Sequence, residues 1–406
     1  MTITNDTYFA TQLAKHRRRR SLTQIELSGL SAVSVRAIRN LEQGKVALPR
    51  KDTVRLLADA LRLTGEERIS FSMAAACHRQ TAPVDTPLAP MAGPPLRGRA
   101  AELDILLRQL AAPQGRVVSI TGFWGVGKTR LAAATAQALR SGQAAPVFWL
   151  SRRPDADVAA AHLAGLIGDQ DTVLVLDGAD NGADGAVSHE AVWALLRDCP
   201  RLRILRTSRS DDNGFQLALT PLPVPRADDR ASIEASPALR MLLDLIPGFP
   251  APDAVSDRVL LKLAEVCRSL DGLPGALAAA AAWYGIVGLD QLAEMARSEP
   301  ELLASHPAED GEDPESVILG MLGALGAEHR EYLSGLASLP GSWSVHEAAE
   351  RLGVARVRLA GAVHAFRQIG LIRSEPDGAG PLEFGVLRLV RAILQPAAHR
   401  DRAGSR

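Results

Sequence analysis

The stretch Gly122-Phe-Trp-Gly-Val-Gly-Lys-Thr129 decides the fold of this chain. It fits the pattern G-x-x-x-x-G-K-[ST], follows an apolar, strand-like run at residues 117–121 and precedes a helix-forming run at residues 130–139. A phosphate-binding loop needs this placement, because it joins a strand to a helix whose positive N-terminal end faces the phosphates. The stretch therefore predicts a nucleotide site in an α/β core with a parallel sheet.

Each residue type in the loop has a chemical role. The glycines let backbone N–H groups turn toward a polyphosphate, the lysine supplies positive charge to the β- and γ-phosphate oxygens, and the threonine hydroxyl is a ligand for Mg²⁺. The residues assigned to nucleotide binding here are Gly122, Gly125, Val126, Gly127, Lys128, Thr129 and Arg130.

Two further apolar runs complete the predicted site. Thr172–Asp177 is typical of a strand buried on both faces, and Asp177 at its carboxyl end is a second Mg²⁺ candidate beside Thr129. The run at residues 202–209 ends in Arg209, which we expect to reach a γ-phosphate. Asp180 is the candidate for orienting a lytic water, and the alternative is that no residue does so.

The nucleotide is expected to be ATP or ADP, because none of the five lysines has Asp two places on, as the guanine-reading [NT]-K-x-D signature requires. Phosphoryl transfer depends on positioning and charge stabilisation. Since Asp177 is followed by Gly-Ala before Asp180 and has no immediate second carboxylate, hydrolysis is expected to be slow.

The N-terminal region carries a separate charge pattern. Residues 1–80 contain 14 Lys and Arg against 7 Asp and Glu, whereas residues 81–406 contain 32 against 39. The overall net charge of zero therefore conceals a basic N-terminal region.

Within this region the sequence predicts two short helices. Thr23 precedes a helix that starts at Gln24, and Ser34 caps a second helix that ends at Gly44. Ala37, Ile38 and Leu41 fall on one face of the second helix, so its arginines point away from that face.

The run Leu22-Thr-Gln-x-Glu-Leu27, with Ser34-Val-Arg-x-Ile38 and Leu41-Glu-Gln-Gly44, resembles the phage-repressor (XRE-like) type of helix-turn-helix over about residues 8–70. The resemblance implies that the second helix enters the major groove of double-stranded DNA. Ala32 stands where that family often has Gly in a left-handed turn. The DNA-contacting or supporting residues it implies are Gln24, Ser34, Val35, Arg36, Arg39, Asn40 and Arg50.

The body of the chain, about residues 96–395, resembles the STAND ATPases of the NB-ARC type. The motifs that carry the resemblance are Leu96-Arg-Gly-Arg99, the phosphate loop, Asp177, Thr207-Ser-Arg209 and Gly272-Leu-Pro274, in that order. It implies that Pro274 packs on adenine and that Gly98 and Arg99 close over it. Gly275 stands where Leu is usual, and Val386-Leu-Arg388 replaces a Met-His-Asp sensor of ADP.

The predicted domain limits follow from these motifs. They are a helix-turn-helix head at residues 1–80, a Pro-rich linker at 81–96, a P-loop domain at 97–225, a helical domain at 226–305, a winged-helix-like domain at 306–395 and a tail at 396–406. The apolar run at residues 276–289 is shorter than the roughly 20 residues of a membrane span, which predicts a buried helix. A polar N-terminus and three scattered cysteines favour a cytoplasmic, nucleoid-associated protein without a membrane partner.

Together the motifs favour a bacterial transcription regulator in which ATP with Mg²⁺ controls self-association and DNA binding. The resemblance implies genes of specialised metabolism or development, with RNA polymerase as a further candidate partner. Two alternatives stay open, a signalling scaffold whose head binds protein, and an ATPase enzyme that uses the loop for turnover.

Overall fold

The computed structural model describes residues 8–43, 45–46, 49–63, 67–68, 71, 75, 95–112, 115–142, 145–151, 163–164, 167, 169–178, 187–208, 214–304, 314–375 and 382–394. The chain divides into two compact units. The first comprises Met1–Met91, Leu107–Val118 and Thr135–Arg206, and the second comprises Ala92–Leu106, Ser119–Ala134 and Thr207–Arg406. The predicted linker at residues 81–96 lies almost wholly outside the described residues.

The N-terminal part of the first unit is helical, with α1 Tyr8–Arg19, α2 Gln24–Ser31, α3 Val35–Glu42 and α4 Lys51–Ala60. The predicted helix starts are confirmed. The Thr23 hydroxyl accepts from the Glu26 N–H, the Glu26 carboxylate accepts from the Thr23 N–H, and the Ser34 hydroxyl accepts from the Ala37 N–H. Ala32 has φ 57°, the left-handed turn that the sequence predicts there.

The four helices enclose one apolar core. Ile38 and Leu41 on α3 are buried, as their spacing predicts, whereas Ala37 is half-buried. The other large side chains of this core are Phe9, Leu13, Leu27, Val33, Val54, Leu57, Leu61, Leu63 and Phe71.

The α/β part contains the predicted sheet. Its strands are β1 Val117–Gly122, β2 Val147–Ser151, β3 Thr172–Asp177, β4 Leu202–Thr207 and β5 Phe215–Leu219, and they lie in the order β2-β3-β4-β1-β5. Strand β3 pairs in parallel with β2 and with β4. Residues 172–176 are buried, as expected of a central parallel strand. The helices of this part are α5 Ala100–Ala111, α6 Lys128–Ser141 and α7 His189–Asp198.

The rest of the second unit is mainly helical. The first group is α8 Arg230–Ala235, α9 Pro237–Leu245, α10 Asp257–Ser269, α11 Pro274–Ser298 and α12 Pro300–Ala304, with a 3₁₀ turn at Pro252–Ala254. The second group is α13 Pro314–Ala324, α14 Ala327–Ser338, α15 Val345–Leu352, α16 Arg356–Gln368, β6 Ile372–Glu375, β7 Glu383–Val386 and α17 Arg388–Leu394. Strands β6 and β7 form the expected antiparallel pair, with Ile372 opposite Val386.

Helix α11 is longer than the apolar run predicts. By length and composition alone it could cross a membrane. Gly288, at φ 74° and ψ 173°, interrupts it, however, and leaves residues 274–287 and 289–298, each shorter than the roughly 20 residues of a span. Leu277, Ala280 and Leu292 are buried in the core of the second unit. The prediction of a buried helix is confirmed for the first part of the apolar run, residues 276–281, whereas none of residues 282–289 is buried and Ile286 is 69% exposed.

Candidate functional site

The loop between β1 and α6 has the backbone that its glycines predict. Gly122, Gly125 and Gly127 have φ values of 140°, 67° and 98°, a region that side-chain-bearing residues rarely adopt. Phe123, between the first two, is fully buried in the apolar core of the second unit. The loop is therefore anchored by one aromatic side chain and turned by three glycines.

The polar residues of the loop stand at the start of α6. The Lys128 ammonium donates to the carbonyls of Gly122 and Phe123 at 2.8 and 3.0 Å, so its charge lies over the loop. Thr129 is exposed, Arg130 is half-buried and Val126 is buried. An exposed hydroxyl and a cation at a helix N-terminus fit an anionic ligand accompanied by a metal ion.

Arg99 supports the phosphate loop through hydrogen bonds to backbone carbonyls. The residue is buried at 4% exposure, and its guanidinium donates to the Thr220 carbonyl at 2.5 Å and to the Val126 carbonyl at 3.4 Å. It also forms an ion pair with Glu102 at 2.8 Å. Gly98 has φ 63° and faces Pro237, where a Cβ would lie 2.6 Å from that ring. Arg99 therefore contacts the phosphate loop directly.

Pro274 begins α11 beside the loop. A Cβ built on Gly127 would lie 3.7 Å from the Cγ atom of Pro274, which is an ordinary van der Waals distance. The sequence resemblance predicts that this proline packs on adenine, and the structure brings it to the edge of the phosphate loop.

Other predicted residues are placed only in part. Asp177 is the last residue of β3 and is half-buried, whereas Asp180 and Arg209 lie outside the described residues. The roles of these three residues in hydrolysis stay predictions.

In the head, helix α3 presents its charged face to solvent. Ser34, Arg36 and Arg39 are exposed, whereas Val35 and Asn40 are half-buried. Arg50 is exposed at the start of α4. The two α3 arginines lie opposite the buried Ile38 and Leu41, which is the orientation that a base-reading helix requires.

A buried ionic network holds α3 in place. The Glu42 carboxylate accepts from Arg17 of α1 at 2.6 and 3.0 Å and from the Gln24 side-chain amide of α2 at 2.6 Å. Burial acts to raise the pKa of Glu42, but these hydrogen bonds outweigh it and hold the pKa below its usual range. The Gln24 amide thus supports α3 through Glu42. Arg17 and Glu42 were not predicted as functional residues, although Glu42 lies in the quoted motif Leu41-Glu-Gln-Gly44.

A second buried carboxylate joins the two helical groups of the second unit. Asp271 is fully buried, with φ 53°, and accepts from the Arg373 guanidinium at 2.8 Å and from the Arg388 backbone N–H at 2.5 Å. Burial raises the pKa of Asp271 to about 6, and Arg373 offsets part of that effect. Arg388 stands where the Met-His-Asp motif has its aspartate. The carboxylate next to it is Asp271, which precedes α11.

Comparison with known protein families identifies the head. Residues 9–71 match the model of a helix-turn-helix domain. The chain is 30% identical to an uncharacterized protein of Mycobacterium tuberculosis over 46% of its own length and 49% of the relative. It is 32% identical to an M. tuberculosis protein named as an HTH-type transcriptional regulator, over 43% of its own length and 21% of that protein. The chain spans about half or less of the length of these relatives.

Two similar solved structures show the level of structural likeness. One is a Signal Transduction ATPase with Numerous Domains (STAND) protein from Pyrococcus horikoshii, at 14% identity and a TM-score of 0.32, over 77% of this chain and 44% of that one. Another is Thermotoga maritima RuvB, at 15% identity and a TM-score of 0.34, over 70% and 90%. With scores this low, function has to be argued from the residues of this chain.

Proposed function

We propose that this chain is a transcription regulator whose sequence-specific binding to DNA is switched by ATP. The observation that carries the proposal is the presence, in one chain, of a helix-turn-helix with outward-facing arginines and a phosphate loop with three glycines at positive φ. The helix-turn-helix alone would also fit a DNA-binding repressor without a nucleotide switch. The phosphate loop alone would also fit an ATPase that does not bind DNA.

The loop fits a nucleoside triphosphate with Mg²⁺. Its glycines free backbone N–H groups, and Lys128 supplies a charge for the β- and γ-phosphate oxygens. Thr129 and Asp177 would hold the metal, which when bound neutralises charge on the phosphates. Val126 and Arg130 would border the phosphates, and Gly98, Arg99 and Pro274 would enclose the adenine side, as we assign from the sequence resemblance.

The head would read double-stranded DNA in the major groove with α3. Arg36 and Arg39 are the proposed readers of guanine, because an arginine can donate two hydrogen bonds to the O6 and N7 atoms of that base. Ser34, Val35 and Asn40 would border them, and Arg50 would contact phosphate. Gln24 would act through Glu42, which it contacts at 2.6 Å.

The switch would operate through the domains around the loop. ATP binding would favour docking of the helical domain (226–305) and the winged-helix-like domain (306–395) onto the P-loop domain (97–225). Docking would promote self-association, which pairs two heads (1–80) on adjacent half-sites. Such pairing strengthens DNA binding, because the second contact becomes intramolecular.

Hydrolysis would reset the switch slowly. Asp180 would orient water and Arg209 would stabilise charge on the γ-phosphate, so that turnover serves regulation. The protein would act in the cytoplasm, associated with the nucleoid. Double-stranded DNA and RNA polymerase are its proposed partners, and genes of specialised metabolism are its proposed targets.

Genome-wide DNA capture with the wild type and Lys128→Ala tests this function. We expect discrete sites for the wild type and a marked loss of occupancy for the variant, because the variant lacks the charge that holds the triphosphate. Identical site maps would overturn the nucleotide switch. A wild type that captures no DNA would support the scaffold alternative.

A further inference from the structure

Two glycines from outside the phosphate loop touch its backbone. Gly275, the second residue of α11, donates its N–H to the Gly125 carbonyl at 2.7 Å. The first N–H groups of any helix lack partners within the helix, and here a loop carbonyl satisfies one of them. The bond fixes the peptide group between Gly125 and Val126, because a peptide plane moves as one unit.

The space at this contact excludes any side chain. A Cβ on Gly275 would lie 2.8 Å from the Gly125 Cα and 3.4 Å from the Gly125 carbonyl oxygen. A Cβ on Gly125 would lie 3.3 Å from the Gly275 Cα. The neighbour in each case is backbone, which cannot rotate away as a side chain can. A side chain at position 275 would therefore collide with the loop backbone. At position 125 the contact would be crowded, and the φ of 67° independently favours glycine there.

A third glycine makes a similar contact from the C-terminal part of the second unit. Gly370 follows α16, has φ 77°, and would place a Cβ 2.8 Å from the backbone nitrogen of Phe123. Phe123 is the fully buried loop residue, and Leu371, next to Gly370, is also fully buried. The loop backbone is thus contacted at Phe123 and at Gly125 by segments that belong to two different helical groups.

We propose that Gly275 and Gly370 are positioning residues that hold the phosphate loop in its ligand-binding conformation and couple it to both helical groups. This inference rests on the proposed function. Rotation of the Gly125–Val126 peptide group breaks the bond to Gly275, so a loop conformation stabilised by phosphate also stabilises docking of α11. By thermodynamic reciprocity, docking strengthens nucleotide binding by the same factor by which nucleotide strengthens docking, so loosening either docking contact weakens nucleotide binding.

The chain offers matched controls for both positions. Gly285 lies in α11, as Gly275 does, and a Cβ there meets nothing within 4 Å. Gly353 ends a helix at φ 65°, close to the φ of Gly370, and a Cβ there also meets nothing within 4 Å. Gly285→Ala and Gly353→Ala therefore reproduce the change in helix propensity and the backbone strain without contact to the loop.

The test measures the dissociation constant of a fluorescent ATP analogue with Mg²⁺, together with the melting temperature, for the full chain and four variants. We expect Gly275→Ala to weaken binding roughly tenfold, the factor that the loss of about one hydrogen bond represents. We expect Gly370→Ala to weaken binding as well, because its Cβ would displace the backbone of Phe123. Each control should change binding by less than about twofold relative to the wild type.

A fall in melting temperature without a change in affinity would show a structural role only and would overturn the inference. A wild type that binds no ATP overturns the proposed function as well, which separates the two failures. Hydrogen exchange on the wild type needs no substitution. We expect ATP to slow exchange in peptides that contain Gly275, and unchanged exchange there despite bound ATP contradicts the coupling.

Discussion

Replacement of Glu42 by Gln tests how the reading helix is held. In the wild type the Glu42 carboxylate accepts two hydrogen bonds from Arg17 and one from Gln24, and its side chain is only 8% exposed. Glu42→Gln keeps the size of the side chain but removes its charge. It also brings an amide N–H₂ group against two donors. We expect α3 to detach from α1 and α2 more often than in the wild type.

The expected cost follows from the burial of the pair. Removing one partner of a buried ion pair costs about 3–5 kcal/mol, because the other charge is left without compensation. Arg17 keeps 14% exposure and a hydrogen bond to the Leu22 carbonyl at 2.7 Å, which favours the lower end of that range. We therefore expect a loss of about 3 kcal/mol, a large share of the stability of a small domain.

Hydrogen exchange measured by mass spectrometry suits this change, because it reports on the head separately from the rest of the chain. Amides of α2 and α3 should exchange roughly a hundredfold faster in Glu42→Gln, the ratio that about 3 kcal/mol represents. Glu67→Gln is the control, since Glu67 pairs with Arg19 at 3.0 Å where both side chains are largely exposed. Such surface pairs contribute about 0–1 kcal/mol. Equal exchange in the two variants would refute the role assigned to the network.

Two further changes probe the reading face and the buried carboxylate. Arg36→Ala or Arg39→Ala should reduce preference for one base pair by about 1–3 kcal/mol, and a selection from random duplexes that returns the wild-type motif would remove that arginine from the readers. Asp271→Asn probes a carboxyl whose folded pKa, about 6, lies above its ordinary value of 3.8, so the wild type loses stability as the pH rises from about 4 through 6. Acidification from pH 7 to pH 5 should therefore stabilise the wild type by about 1 kcal/mol relative to Asp271→Asn, and a difference between their thermal melts that does not change with pH would contradict the assigned burial effect.

Local patterns in the sequence predicted much of the fold. The phosphate loop, the strands β1, β3 and β4, and the helices α2 and α3 each have a signal within a few residues: glycines at fixed spacing, an unbroken apolar run or a polar cap. These features could be predicted because each depends on backbone preferences close by in sequence. The left-handed turn at Ala32 was implied instead by the resemblance to the helix-turn-helix family, because alanine itself disfavours that conformation.

The remaining site contacts join residues that are far apart in sequence. Arg17 and Glu42 are 25 positions apart, and Arg99 reaches Thr220 across 121 positions. The contact between Gly125 and Gly275 has no local sequence signal. The glycine after Pro274 equally fits a position that has only lost the packing of the leucine usual there. Such contacts depend on how folded elements meet, which periodicity and capping patterns do not determine.

The central claim is that a nucleotide bound at the phosphate loop controls DNA binding by the head. The most direct measurement is fluorescence anisotropy of a labelled duplex that contains a captured site, titrated with wild type or Lys128→Ala in the presence of Mg²⁺ and either ATP or ADP. We predict that ATP tightens wild-type binding at least tenfold relative to ADP, or about 1.4 kcal/mol, and has no effect on Lys128→Ala. Wild-type binding that is equally tight with ATP, with ADP and without nucleotide would contradict the account.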